Sequence, residues 1–98
     1  MLHIVNRSPF TSNAFNSCLQ VLKTGDALLL IEDGVFAALG MFAQHLEKLK
    51  NEDGIAIALL TNDVLARGLG NQIAALPTIN YTQFVEFTEQ YSPSLTWS

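Results

Sequence analysis

Charge is scarce in this chain of 98 residues, because Asp, Glu, Lys and Arg together make up 14% of it, against about 25% in an average soluble domain. Lys and Arg number only five, the formal net charge is -4, and the isoelectric point lies near 4.8. The chain therefore lacks the basic field that attracts phosphate backbones. Direct binding to nucleic acid is not expected.

The charges are fewest in residues 68–98, where only Glu86 and Glu89 are ionised. Surfaces that are poor in charge and partly apolar are typical of subunits that pack against other chains. We therefore predict that the loop at residues 69–77 and the tail around Trp97 form an interface. The isolated chain is expected to self-associate or to be poorly soluble.

Cysteine is nearly absent, and a single residue, Cys18, excludes an internal disulfide framework and a multi-cysteine zinc site. No run is apolar enough to cross a bilayer, because the longest uncharged stretch, residues 68–85, contains Gly, Pro, Asn and Gln. The chain does not begin like a secretory signal, since Asn6, Arg7 and Pro9 follow the first five residues. These features predict a cytoplasmic protein without a membrane partner.

Short apolar segments alternate with longer stretches that have helical spacing of apolar residues. Strands are predicted at residues 2–5, 27–31, 55–60 and 78–80, and the tail at 92–98 can add an edge strand. Helices are predicted from the caps at 11–13 to about Lys23, from Val35 to Lys50 with an interruption at Gly40, from a cap at Asn62 or Asp63 to about Arg67, and at 81–91. We predict one α/β domain spanning residues 1–98, with a mostly parallel sheet of about four to five strands flanked by helices.

In sheets of this kind, functional groups lie at the carboxyl ends of the strands. Asp33 and Asp63 lie at two such ends, and each is better explained as the cap of the helix that follows, with Gly34 permitting a sharp turn. His3 is predicted to be a hydrogen-bonded structural residue, and His45 to lie on a solvated helix face. No cluster has the spacing of metal ligands, so no metal is expected.

Two further features of the sequence need a chemical interpretation. The segment at residues 68–72, Gly-Leu-Gly-Asn-Gln, lacks the third glycine of a dinucleotide fingerprint and follows a predicted helix instead of a strand, so no cofactor is expected. Cys18 is the only residue with intrinsic nucleophilic chemistry. It lies beside Leu19 at the edge of the apolar helix face, where a small buried side chain is the alternative interpretation.

Four segments, taken in order, resemble the TusB/DsrH family of sulfur-relay subunits, and Trp97 near the end of the chain fits the same family. The resemblance runs from Leu2 to Trp97. The segments are Leu2-His3-Ile4-Val5-Asn6-Arg7-Ser8-Pro9-Phe10, Leu30-Ile31-Glu32-Asp33-Gly34-Val35 with Ala37-Ala38-Leu39, Leu65-Ala66-Arg67-Gly68-Leu69, and Tyr81-Thr82-Gln83-Phe84-Val85.

The resemblance implies a small DsrE-like fold and a cytosolic heterohexamer. Its partners would be two homologous small subunits, one TusC/DsrF-like and one TusD/DsrE-like, and a downstream sulfur carrier that contacts the complex. Such complexes receive persulfide sulfur and pass it on, and the sulfur ends as the 2-thio group of the wobble uridine in certain tRNAs. The principal sulfur-bearing cysteine of the family resembles one on the D or DsrE subunit, which implies an accessory role for this chain.

Two positions depart from the common TusB pattern. Asn80-Tyr81 stands where members often have Asp-Tyr, so no carboxylate role is transferred there. Ser8-Pro9-Phe10 followed by Ser17-Cys18-Leu19 resembles the DsrH version, which has a cysteine at this place. Cys18 is therefore a candidate sulfur-handling residue. The alternatives to tRNA thiolation are a DsrH-type subunit of a dissimilatory sulfur-oxidation complex and a purely structural assembly subunit.

Overall fold

The computed structural model describes residues 1–73 and 76–98. Its strands, β1 to β5 in chain order, are Leu2–Val5, Ala27–Leu30, Ala56–Leu60, Thr78–Ile79 and Ser94–Trp97. All of them are parallel and form one sheet in the order β4-β3-β2-β1-β5. The predicted α/β fold with a parallel sheet of four to five strands is therefore confirmed, and the tail does add an edge strand.

Helices connect the strands as crossovers. The α-helices, α1 to α4, are Ala14–Leu19, Gly40–Glu52, Thr61–Ala66 and Tyr81–Gln90, and a 3-10 helix spans Glu32–Ala38. Across residues 1–73 and 76–98, no helix is long and apolar enough to cross a membrane.

The two faces of the sheet are covered unequally. The face that carries Val5, Leu28 and Leu59, called the first face here, packs against α1, the 3-10 helix, α2 and α3 in the larger hydrophobic core. The opposite face carries Leu2, Ile4, Ala27, Leu29 and Ala58, and half-buried aromatic residues of α4 pack on it. Because side chains alternate along a strand, His3 points to the first face with Val5.

The first helix is shorter than predicted. It ends at Leu19 instead of Lys23, because the following residues form a turn that uses the same backbone groups. The Lys23 amide donates to the Asp26 carboxylate at 3.1 Å, and the Asp26 amide donates to the Lys23 carbonyl at 2.9 Å. At the start of the helix, the Ser12 hydroxyl accepts from the Ala14 amide at 3.1 Å.

The predicted interruption at Gly40 is confirmed, because the 3-10 helix ends at Ala38 and α2 begins at Gly40, which has a φ of +59°. The predicted cap of α3 by Asn62 or Asp63 is wrong. That helix begins at Thr61 directly after β3, and its N-cap is Leu60 without a side-chain hydrogen bond. No loop separates strand from helix, so no capping position falls on either residue.

The loop predicted as an interface is partly a core segment. Leu69, Ile73 and Leu76 are buried in the first-face core, so these side chains cannot contact a partner, and that part of the prediction is wrong. Residues 74 and 75 of the same loop lie outside the described residues. The low charge of this segment therefore reflects burial at these three positions, since apolar core positions and apolar interfaces have similar compositions.

Candidate functional site

A buried histidine links three separate parts of the chain. His3 on β1 is only 3% exposed. Its Nε2 lies 3.2 Å from Oδ2 of Asp26, which precedes β2. Its Nδ1 lies 3.1 Å from Nε1 of Trp97 on β5, and the two rings stack at 6.2 Å between centroids. The prediction that His3 is a hydrogen-bonded structural residue agrees with these contacts.

The partners of His3 determine its tautomer. An indole nitrogen can only donate a hydrogen bond, so Nδ1 of His3 must accept from Trp97. Nε2 then carries the proton and donates it to the Asp26 carboxylate. Both ring nitrogens are occupied, and His3 is therefore not a free general base.

The carboxylate of Asp26, next to His3, accepts several hydrogen bonds. It accepts from the N-terminal ammonium group at 3.2 Å, from His3 and from the Lys23 amide. Burial by itself would raise the pKa of Asp26, but the hydrogen bonds from Lys23, the N-terminus and His3, together with the positive charge of the N-terminus, outweigh it and lower the pKa below its ordinary value. Asp26 is therefore a stable anion at neutral pH.

A cavity of about 710 Å³ opens over this network on the first face. Its walls come from Met1, from residues 20–23 in the turn after α1, and from β5. The apolar contributors are Met1, Val21, Leu22 and Leu95, and the polar ones besides the network are Gln20 and Lys23. Few polar groups of the cavity are free to react, so the arrangement suits binding better than catalysis.

Cys18 lies in the core near this cavity. Its side chain is fully buried among first-face residues, and burial, with a smaller contribution from the negative charge of Asp26, raises its pKa to about 12. A thiol with such a pKa is protonated at neutral pH, whereas the thiolate is the nucleophile in sulfur transfer. A sulfur-handling role for Cys18 stays a prediction, and it requires that the thiol become exposed.

We expect Cys18 in the isolated folded chain to react with iodoacetamide only as fast as the chain opens or unfolds, because the thiol is inaccessible and protonated. Mass spectrometry of a time course, with and without denaturant, measures this. Labelling of the native protein at the rate of an unfolded control would contradict the burial described here.

The carboxyl ends of β2 and β3 form a second polar cluster. The Glu32 amide donates to Oδ2 of Asp63 at 2.7 Å, and Nε of Arg67 donates to Oδ1 of Asp33 at 2.9 Å. Arg67 also donates to the Asp63 carbonyl at 3.2 Å. The prediction that Asp33 caps a helix is wrong, because it lies inside the 3-10 helix and pairs with Arg67. The carboxylates of Asp33 and Asp63 both form contacts that join neighbouring segments, so neither is free to act as a catalytic group.

Gly34 and Asn6 lie at the same edge of the sheet. A Cβ atom on Gly34 would overlap the Val5 carbonyl oxygen, so glycine is needed for close approach and not for a turn. The Oδ1 atom of Asn6 is buried and has no hydrogen-bond partner within residues 1–73 and 76–98. Sequence reasoning missed both features, since neither leaves a periodic pattern.

Comparison with known proteins gives a match over most of the chain. A family model described as "DsrH like protein" matches residues 7–94. The chain belongs to the DsrH family. Proteins named TusB from Escherichia coli O139:H28 and from Shigella boydii serotype 18 are each 41% identical to it over 98 residues, covering 99% of this chain and 100% of the relative.

Two solved structures share the fold of this DsrH-family chain. The crystal structure of the YchN protein from E. coli superposes with a TM-score of 0.75 at 23% identity, covering 98% of this chain and 97% of the other. The solution structure of Tm0979 from Thermotoga maritima has a TM-score of 0.66 at 24% identity, covering 91% and 92%. The predicted DsrE-like fold is confirmed.

In the structure of this DsrH-family chain, the candidate residues from the sequence fall into two separate groups. Cys18 and His3 lie on the first face near Asp26, whereas Asp33 and Asp63 lie at the carboxyl edge with Arg67. His45 is exposed on α2, as predicted. The Asp26–His3–Trp97 network was missed; the available signal was a histidine inside an otherwise apolar strand, which needs polar partners when buried.

Proposed function

We propose that this chain is an accessory subunit of a cytoplasmic sulfur-relay complex that supplies sulfur for 2-thiolation of the wobble uridine in tRNA. The observation that carries the proposal is the 41% identity to TusB proteins along the whole chain. Residues 1–98 act as a single DsrH/TusB-like domain in this proposal. The acidic pI is consistent with another protein handling the tRNA.

The accessory role rests on the state of the candidate reactive groups. Cys18 is buried and has a raised pKa, and both ring nitrogens of His3 are occupied. Neither group is prepared to attack a persulfide. The principal sulfur-bearing cysteine therefore belongs to another subunit, and Cys18 handles sulfur only if assembly exposes it.

The proposed partners are the two homologous small subunits, TusC/DsrF-like and TusD/DsrE-like, in a heterohexamer. Support comes from large apolar side chains that the isolated chain leaves uncovered. Phe10, Met41, Leu65 and Val85 are all more than half exposed. A chain of this size that exposes several such residues in a charge-poor surface is typical of a subunit.

The test is deletion of the gene in its natural host, complemented with wild-type protein or with Cys18→Ala. We expect the deletion to abolish most 2-thiouridine in tRNA, and both proteins to restore it and to co-purify with the two homologous subunits. Alanine is preferred to serine, because serine would bury an unsatisfied hydroxyl group. Mass spectrometry of digested tRNA measures the modification.

The outcomes separate the alternatives. Unchanged 2-thiouridine after deletion would exclude tRNA thiolation and favour the DsrH-type role in sulfur oxidation, which agrees with the description of the matching family model. Loss of thiolation with Cys18→Ala in a complex that still assembles would contradict the accessory role and make Cys18 a sulfur carrier. An empty-vector strain is the control for both.

A further inference from the structure

The edge of the sheet at β5 has a free row of backbone groups. The carbonyls of Pro93 and Trp97 accept from the amides of Leu2 and Asn6, at 3.0 and 3.4 Å, so they point to β1. Because these directions alternate along a strand, the amide and carbonyl of Thr96 point away from β1. In the part of the chain that the structure describes, no strand pairs with β5 on that side.

Natural proteins usually block an open edge with charge, proline or a very short strand. The other edge strand follows this rule by its length, since β4 has only two residues; a proline directly precedes each edge strand, Pro77 before β4 and Pro93 before β5. By contrast, β5 has four residues, all described as exposed or half-buried, and residues 92–98 contain no charged side chain. An open and uncharged strand of this kind favours pairing with another strand.

The sequence of β5 is complementary to itself. In an antiparallel pair with Thr96 opposite Thr96 of a second copy, the outward amide and carbonyl of each threonine bond to the other. Leu95 then lies opposite Trp97 of the second copy. Both residues are on the first face, because they pair in register with His3 and Val5. Directly opposite pairs without mutual backbone bonds bring side chains closest together, so this register packs Leu against Trp twice.

The surroundings of β5 agree with this register. Met1, Val21 and Leu95 are each nearly half exposed and line the cavity beside β5. A twofold axis perpendicular to the sheet keeps both first faces on the same side. The apolar walls of the two cavities would then adjoin the seam, which reduces the apolar surface that each chain exposes to water.

We propose that β5 is a homotypic interface, at which two copies of this chain join their sheets antiparallel with Thr96 at the twofold axis. The interface depends on backbone geometry and apolar packing, and it is independent of the sulfur-relay function. A homologous subunit could not form the same pair unless it offered a similarly uncharged edge.

The test places charged side chains at residue 96, which lies at the twofold axis of the proposed dimer. Thr96→Lys and Thr96→Glu each place two like charges opposite one another, which is destabilising, and we expect each variant to weaken dimerisation by about tenfold or more, the equivalent of about 1.4 kcal/mol. An equimolar mixture of the two variants should restore the dimer, because opposite charges then meet. Sedimentation equilibrium of the full chain over a concentration series measures all three samples.

Thr78→Lys and Thr78→Glu are the matched controls, since Thr78 is an exposed threonine on the opposite edge strand, and they should dimerise like the parent chain. Circular dichroism checks that every variant is folded. A parent chain that is monomeric at all concentrations overturns the proposal. So does a dimer that neither Thr96 variant weakens, or one that the mixture fails to restore.

Discussion

Gly34→Ala is expected to destabilise the protein by about 3 kcal/mol or more, a large part of the roughly 5–15 kcal/mol by which a native domain is stable. The added Cβ would overlap the Val5 carbonyl oxygen, which is main chain and cannot rotate away. That oxygen is held by the Ile31 amide at 3.1 Å, and the Gly34 amide is held by the Ile31 carbonyl at 2.8 Å. Relief would therefore disturb both β1 and the start of the 3-10 helix. Urea unfolding followed by circular dichroism measures the loss.

Gly70→Ala is the matched control for this change. A Cβ there would meet only the Leu65 side chain, at 3.8 Å, which is an ordinary contact distance. We expect its free energy of unfolding to stay within about 0.5 kcal/mol of the parent value. Equal stability of the two variants would show that Gly34 does not lie against the Val5 carbonyl.

Asp26→Ala is expected to lower the free energy of unfolding by about 2 kcal/mol, or the Tm by roughly 10 °C. The substitution leaves the Nε2 proton of His3 without an acceptor in a site that is almost fully buried. It also removes the counterion of the N-terminal ammonium group and the acceptor of the Lys23 amide in the turn that follows α1. Thermal unfolding at neutral pH measures the effect.

The effect of Asp26→Ala should depend on pH with a definite sign. The pKa of Asp26 is lowered in the folded chain from its ordinary value of 3.8, so its contribution to stability is fully present above that value and is lost as pH falls through the folded pKa. The difference between parent and variant should therefore be constant near neutrality and shrink below about pH 4. Asp53→Ala, in an exposed turn, is the control. A difference that grows on acidification would contradict the described contacts.

The sequence alone determined the order of the elements and the class of the fold. Short apolar segments such as residues 27–30, bounded by turn residues, are typical of strands in a sheet that is covered on both faces, and the helical stretches between them favour parallel crossovers. The capping box of Asn80 with Gln83, at 2.8 and 2.9 Å, begins α4 where the pattern predicted it. These are local signals, and neighbouring residues are sufficient to specify them.

Only the tertiary structure decided how distant polar residues are used. Asp26 ends α1 early by accepting from Lys23, and it also binds His3 and the N-terminus. Asp63 bonds to the Glu32 amide instead of capping its own helix. The contacts of Asp26 with His3 and the N-terminus, and that of Asp63 with Glu32, join groups that are more than twenty residues apart. The position of such partners is set by how the strands align.

The dependence on tertiary packing also explains the outcome of the predictions for Cys18, for the charge-poor segments and for Trp97. The low charge of residues 68–98 predicted an interface. In the structure, Leu69 and Ile73 are instead buried in the core, whereas β5 lies at an open edge of the sheet. Helix periodicity placed Cys18 at the margin of an apolar face, whereas the packing of α1 against β1 and β5 buried it completely. A pattern reports which residues are apolar; the three-dimensional packing decides whether core or solvent covers them.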